Sequence, residues 1–289
     1  MALCEGRTVI ITGAGGGLGR AYALALATEG ANVVVNDIRA DAAAAVAGEA
    51  GARALANSGD ITTMDGADGI VGAALAKFGE VHAIVNNAGV VRDKMFASMS
   101  EEDWDLVIRV HLKGHFCLTR TLVGRWRDQV KAGRKVDARI INTSSGAGLQ
   151  GSVGQSNYAA AKGGIASLTL VQAAELARYG ITANALAPAA RTGMTEKVFA
   201  DMMKRPDGAG FDHYDPANVA PLVVWLCSAK SSGVTGRVFE VEGGKVSIAD
   251  GWRTGKARDK KARWQPAELS DVIAALAAEA PRAQKVYGT

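Results

Sequence analysis

Cysteine, proline and aromatic residues are all sparse in this chain of 289 residues, which has three cysteines, six prolines and 6% Phe, Trp and Tyr. Cys4, Cys117 and Cys227 are odd in number, far apart and free of any C-x-x-C pair, which excludes a disulfide framework and a thiolate zinc site. A reducing, cytoplasmic setting fits that usage. No uninterrupted apolar stretch approaches the roughly 18 residues of a membrane span. The N-terminus, MALCEGRTVIITG, lacks a basic segment followed by a long apolar core, so the chain is expected to be soluble and unprocessed, with no membrane partner. His82, His115 and His213 show no metal-ligand spacing, and no metal is expected. Stacking aromatics for nucleic acid are also lacking. The formal charge of +4 is concentrated between Arg253 and Arg263, where six basic residues face the single acid Asp259, with only Trp252 and Trp264 beside them. An anionic small molecule is a better partner for that run than nucleic acid.

What is present is ordinary globular material, 48% hydrophobic and 21% charged, enough for one large domain. Apolar runs at Thr8–Ile11, Asn32–Val35, Ala54–Ala56, His82–Val85, Arg139–Ile141, Thr182–Leu186 and Val238–Val241 have strand length, and the Val/Ile-rich ones suit a sheet buried on both faces. Between them, Leu18–Glu29, Asp41–Glu49, Thr63–Phe78, Glu102–Gln129, Asn157–Tyr179 and Pro216–Ser228 are long enough for helices, several ended by glycine. This alternation predicts an α/β fold: a doubly wound, Rossmann-like parallel sheet with helices on both faces. That domain is expected over residues 1–251. Residues 252–289 read as an appended basic and helical extension packed on it, with Leu269, Ile273 and Leu276 on one face of a helix near Ala267–Glu279.

The run TVIITGAGGGLG places Gly13, Gly17 and Gly19 between the first strand and a helix beginning near Leu18. Without Cβ atoms, backbone N–H groups and a helix N-terminus can approach a pyrophosphate closely. The pattern is T-G-x-x-x-G-x-G rather than G-x-G-x-x-G. Asp37 follows the second apolar run, eighteen residues past Gly19, where a carboxylate accepts hydrogen bonds from a ribose diol and repels a 2′-phosphate. A dinucleotide site is implied, with NAD favoured over NADP; Arg20 and Arg39 are the cations nearby that argue the other way.

Tyr158 and Lys162 stand four apart in NYAAAK, on one face of an Ala-rich helix. An adjacent ammonium and an oxidised nicotinamide would each favour the phenolate, letting Tyr158 exchange a proton with a carbinol oxygen. Alone, the Y-x-x-x-K pair is a weak motif, whose usual explanation is an exposed helical contact.

Taken in order, TGAGGGLG, NNAG, IINTSSGAG and YAAAK resemble the short-chain dehydrogenase/reductase family from about Arg7 to Gly251. The resemblance implies that Ser145 holds the substrate oxygen, with Ser144 structural, that Tyr158 is the acid/base, and that Lys162 tunes it and grips the nicotinamide ribose. It further implies that Asp60 and Ile61 contact the adenine, that Asn87, Ala88 and Gly89 border the cofactor, and that Pro188 and Thr192 belong to the segment closing over the nicotinamide. Where family members commonly carry an Asn that holds a backbone carbonyl and a relay water, RVHLKG has His111. This imidazole is either a proton relay or a core histidine bonded to backbone.

The stretch VVRDKMFASMSEEDWDLVIRVHLKGHF, with GQSNYAAAK and NVAPLVVWLCS, is similar to the (3R)-hydroxyacyl-CoA dehydrogenase domain of peroxisomal multifunctional enzymes of type 2, the 17β-hydroxysteroid dehydrogenase type 4 group. It lacks that group's glycine-rich insert after the cofactor aspartate and a following hydratase domain. The implied activity is NAD-dependent interconversion of a 3-hydroxyacyl-CoA, those with steroid acyl groups among the candidates, and its 3-oxoacyl-CoA. The alternatives are a free hydroxysteroid dehydrogenase, an NADPH-dependent 3-oxoacyl carrier-protein reductase and, remotely, a non-catalytic dinucleotide sensor. A homodimer or homotetramer is implied, and the run from Arg253 to Arg263 is expected to meet the phosphates of CoA.

Overall fold

The computed structural model describes residues 2–193, 203–206, 210–282 and 284–289. Eight strands form one sheet: β1 (Thr8–Thr12), β2 (Asn32–Asn36), β3 (Ala54–Asn57), β4 (Ala83–Asn86), β5 (Ala138–Thr143), β6 (Ile181–Ala189), β7 (Val238–Glu242) and β8 (Lys245–Ile248). Their spatial order is β3-β2-β1-β4-β5-β6-β7-β8, parallel except for the β7–β8 pair. The central strands are apolar on both faces because both are covered. Val9, Ile11, Val33 and Val35 pack with Tyr22 and Leu26 of α1 (Gly17–Thr28) and Val223 of α8 (Ala220–Cys227). Ile10, Val34 and Ile84 point the other way, onto Ile70 of α3 (Met64–Phe78) and Leu118, Leu122 and Trp126 of α5 (Gly114–Lys131). Each such Ile or Leu contributes about 1.5–3 kcal/mol by leaving water. The doubly wound sheet is therefore present as expected.

Several elements differ from the sequence reading. The single helix expected over Glu102–Gln129 is α4 (Glu101–Ile108) running through a π-helical turn (Arg109–Lys113) into α5. An added residue in that turn rotates His111 inward, where it is buried. Strand β8 was not expected, since it is short and mostly exposed; the Gly243–Gly244 pair before it, with Gly243 at φ +53°, is a hairpin signal. A single-turn helix, α6 (Gly146–Gln150), follows β5 and is capped by the Ser145 side chain, while α2 (Ala40–Ala50) and α7 (Ser156–Leu176) lie where helices were expected.

The extension behaves differently from its expected packing. Its helix α9 (Leu269–Glu279) contains no buried residue, and Ile273 on the supposedly inward face is 58% exposed. The chain then returns: Tyr287 pairs in parallel with Ser152, its N–H donating to the Gly151 carbonyl (3.2 Å) and its own carbonyl accepting from Val153 N–H (2.9 Å).

Candidate active site

The strand order reverses between β1 and β4, so the loops leaving their carboxyl ends diverge and open a crevice. It encloses about 750 Å³ and is lined by Gly13, Gly17, Leu18, Asp37, Asp60, Ile61, Asn87, Ala88, Gly89 and Thr192, among others. Thr12 locks the two loops together. Its Oγ1 accepts from the N–H groups of Asn87 (2.9 Å) and Ala88 (3.0 Å), while Asn87 Nδ2 donates back to the Thr12 carbonyl (3.0 Å). The approach is so close that a Cβ on Gly13, at φ +61°, would lie 2.7 Å from Ala88 Cα. Gly19 is a packing residue rather than part of the lining: a Cβ there would strike the Gly13 carbonyl oxygen and Ala14 Cα.

Asp37 sits at the far side of this crevice with its carboxylate nearly buried. One oxygen accepts from Gly15 N–H (3.0 Å) and the other from Arg39 N–H (3.0 Å) and Nε (3.1 Å). Burial alone would raise its pKa, but hydrogen bonds from Arg39 and Gly15 outweigh burial and hold the carboxyl below its usual value. Asp60 is bonded locally, accepting from Thr62 N–H at 2.8 Å. A cradle of closely apposed glycine backbone with an ionised acid at its rim fits a dinucleotide and its ribose diol.

A second cavity, of about 400 Å³, adjoins the first and shares Leu18, Asn87, Gly89 and Thr192 with it. Ser145, Tyr158, Lys162, His111 and Pro188 all line it. Ser145 ends the loop after β5 and its Oγ accepts from Ala147 N–H (3.2 Å). Ser144 instead donates to the Lys162 carbonyl (2.8 Å), a bond that ties the serine loop to α7. Lys162 Nζ donates to the Thr143 carbonyl (2.5 Å) and lies 5.5 Å from the centroid of the Tyr158 ring. Pro188 and Thr192, expected in the closing segment, are described, whereas residues 194–202 lie outside the described residues.

Burial pushes the Tyr158 phenol above its ordinary value, against a hydrogen bond with Ser145 that lowers it. Burial also lowers Lys162 to about 7, because an ammonium with so little solvent is itself costly.

His111 presents Nε2 to the backbone of Val90, 2.7 Å from its oxygen and 3.0 Å from its nitrogen. Its Nδ1 is buried without a hydrogen-bond partner among the described residues. Burial first, and Lys162 second, lower its pKa to about 3, so the ring is neutral. The ring occupies the space where a Cβ of Gly89 would stand.

Two residues of this region were not anticipated. Fully buried His115 has Nε2 3.3 Å from Thr143 N–H and a further hydrogen bond to the carbonyl of His111 in the π-turn. It therefore braces the strand end whose carbonyl holds Lys162; the HLKGH spacing, two histidines one turn apart, was its only signal. Tyr287 also lines the catalytic cavity, and nothing in the local sequence marked it. Conversely, the basic run does not reach either cavity. Lys256 and Arg258 pair with Glu279, Lys260 with Glu268, Lys261 with Asp259 and Arg253 with Asp250. Five of the six cations are thus paired with carboxylates of the extension or of Asp250 just before it.

Among the described residues, no group of three or more His, Cys, Asp or Glu side chains is gathered as a metal site would require, and no helix is long and apolar enough to cross a membrane. All three cysteines are free and buried.

Residues 7–203 match the short chain dehydrogenase family model. Hydroxyacyl-CoA dehydrogenase ChsB1 of Mycobacterium tuberculosis is 46% identical over 256 residues, covering 84% of this chain and 80% of that protein. Mouse peroxisomal multifunctional enzyme type 2 is 42% identical over 84% of this chain and 32% of its own length. Among solved structures, a short chain dehydrogenase from Mycobacterium avium superposes with a TM-score of 0.91 at 53% identity, covering 99% of this chain and all of that one. A 3-ketoacyl-(acyl-carrier-protein) reductase from Brucella melitensis, complexed with NADH, gives 0.74 at 33% identity over 83% of this chain and 98% of that one. With the crevice, the serine loop and the Tyr158/Lys162 helix in place, the chain belongs to the short-chain dehydrogenase/reductase family of oxidoreductases, which use a nicotinamide dinucleotide and act on hydroxyl and keto groups.

Proposed function

We propose that the protein oxidises the secondary alcohol of a 3-hydroxyacyl-CoA to the 3-oxoacyl-CoA with NAD, the acyl group in some substrates carrying a steroid. The observation that carries this reading is the continuity of two sites. The cavity holding Ser145 and Tyr158 opens directly onto the crevice whose rim is the ionised Asp37. Similarity to hydroxyacyl-CoA dehydrogenase ChsB1 and to multifunctional enzyme type 2 supports the thioester. Asp37 supports NAD, since its oxygens suit a ribose diol and repel a 2′-phosphate.

In this reading Ser145 Oγ holds the substrate oxygen and Tyr158 Oη takes its proton. When bound, the oxidised nicotinamide supplies the hydride acceptor and a positive charge beside the phenol. Lys162, tethered at the Thr143 carbonyl, holds the helix turn that presents Tyr158 and is placed to grip the nicotinamide ribose. Gly13, Gly17, Leu18, Asn87, Ala88 and Gly89 provide the cradle, Asp60 and Ile61 the adenine side, and Pro188 and Thr192 the nicotinamide side. Exposed Phe116 on α5 and Leu170 and Val171 on α7 support assembly as a homodimer or homotetramer, and the free cysteines support a cytoplasmic setting.

A second reading, a 3-oxoacyl carrier-protein reductase, is favoured by the Brucella melitensis reductase and by Arg39, whose exposed side chain stands beside Asp37. The test crosses NAD and NADP with short, long and steroid-bearing 3-hydroxyacyl-CoAs, with a 3-hydroxyacyl carrier-protein thioester and with free hydroxysteroids, following the absorbance of the reduced nicotinamide. NAD-dependent oxidation of a CoA thioester is the expected result; turnover confined to NADP and carrier-protein thioesters, or to free hydroxysteroids, would replace it.

A further inference from the structure

The last residues of the chain form part of the catalytic cavity. Tyr287 lines it together with Gly146, Ser152, Gln155 and Tyr158. The phenol of Tyr287 is packed against the residue that follows Ser145: a Cβ built on Gly146 would lie 2.5 Å from Tyr287 Oη and 2.9 Å from its Cε2. The absence of a side chain at 146 is thus what admits the ring.

Its position is fixed by backbone on both sides of the loop 151–155. On one side Tyr287 bridges Ser152 through two main-chain hydrogen bonds. On the other, Lys94 N–H donates to the Gly154 carbonyl (2.8 Å) and Lys94 bridges Gln155, whose Nε2 donates to Asp93 (3.0 Å). Two further contacts seat the tail: Val286 against Gly151, and Gly288 against Val153. The α9 helix and the basic run before it make no comparable contact with the cavity, so the terminal four residues are the part of the extension that reaches the chemistry.

We propose that Tyr287 is a specificity-determining residue of the substrate cavity: its ring is a wall that positions small acyl groups against Ser145 and Tyr158 and disfavours bulky ones, so that steroid-bearing thioesters are turned over less efficiently than small ones. The inference rests on the dehydrogenase reading above. The wall is steric: the edge of the ring, Cε2 with Oη, stands against Gly146, next to the serine that in this reading holds the reacting oxygen, and most of its bulk is the ring rather than the single hydroxyl oxygen. A side chain acting in this way discriminates among substrates by their kcat/KM values, and removing a whole aromatic ring should exceed the effect of a single methylene, which is about 10- to 200-fold.

The test uses the full-length chain with Tyr287→Ala and Tyr287→Phe, assayed on 3-hydroxybutyryl-CoA and on a steroid-bearing 3-hydroxyacyl-CoA, with NADH affinity measured alongside. Tyr287 is 46% exposed near the terminus, so the variants are expected to fold, and unchanged NADH binding verifies it. Tyr287→Ala should shift the ratio of kcat/KM for the bulky over the small substrate upward by at least about tenfold, through a raised kcat/KM for the bulky one together with a raised KM for the small one. Tyr287→Phe should stay within about twofold of wild type. An unchanged ratio in Tyr287→Ala, or equal losses on both substrates, overturns the inference; so does a Phe variant that shifts as far as Ala. Wild type inactive on every CoA thioester overturns the dehydrogenase reading instead, and the same ratio is then measured with a small secondary alcohol and a free hydroxysteroid.

Discussion

The ring of His111 stands edge-on to that of Tyr158, their centroids 5.1 Å apart and their planes at 90°. The contact is made from the π-turn Arg109–Lys113, within which His111 is buried. Its pKa of about 3 leaves the imidazole neutral throughout the physiological range, so it acts on Tyr158 by packing and by holding the Val90 backbone, not by charge. His111→Ala should lower kcat by up to about 100-fold, by misplacing Tyr158, with NADH affinity nearly unchanged. The kcat–pH profile should keep its shape, since no imidazolium is lost. Disappearance of a limb near pH 6 in the variant would show that His111 titrates during turnover.

Tyr158→Phe deletes one hydroxyl and leaves the ring, its contact with His111 and the helix intact. Turnover should fall by about 100- to 10,000-fold while NADH affinity is preserved. Binding titrations alongside steady-state rates check both halves. Residual activity near wild type would remove Tyr158 from the proton-transfer step.

Lys162 makes stability depend on pH in a defined direction. Its pKa is lowered from 10.5 to about 7 by burial. Below about pH 7 the lysine is charged in both folded and unfolded chains. Between about 7 and 10.5 the unfolded chain binds the extra proton, so this residue's contribution to folding becomes more favourable as pH rises, by a few kcal/mol at most across the window. Buried Cys4, raised to about 11, and Tyr22, also raised, act oppositely at the alkaline end, so the useful quantity is a difference. The gap in unfolding free energy between wild type and Lys162→Met should move in favour of wild type from pH 7 to 9.5. A gap that is flat or moves the other way would mean that Lys162 keeps its ammonium form on folding.

Most of the sheet was legible because a strand buried on both faces is a run of Val and Ile, and a crossover helix between two such runs leaves few topologies. The site was legible where chemistry forces residue types close in sequence: glycines after β1, Tyr158 and Lys162 one helical turn apart. What was hidden depends on contacts between distant segments. The π-turn at Arg109–Lys113 has no propensity signature, so His111 could not be placed from the sequence. Tyr287 reaches the cavity from residues that carry no motif, because its position is set by main-chain pairing with Ser152. The run from Arg253 to Arg263 looked like an anion site since its compensating acids, Glu268 and Glu279, come later in the chain.

Asp37 and Arg39 form an ion pair in the lining of the crevice, opposite charges that would act in opposite directions on a 2′-phosphate. Arg39 lies on the Asp37 carboxylate through Nε (3.1 Å) and through a longer contact from its terminal nitrogen (3.4 Å), so its charge is engaged there. In Asp37→Ala the diol loses its acceptors, the 2′-phosphate loses a repelling charge, and Arg39 becomes free to meet that phosphate. Each of the first two effects is worth roughly 1–3 kcal/mol. The ratio of kcat/KM for NAD over NADP should therefore fall by at least about tenfold, mostly through a raised KM for NAD, and adding Arg39→Ala should return part of it by removing the liberated cation. The measurement is initial rates with both cofactors for wild type, the single variants and the double variant. A ratio that is unchanged in Asp37→Ala would show that the aspartate only secures Arg39 and Gly15, and that cofactor choice is made elsewhere in the crevice.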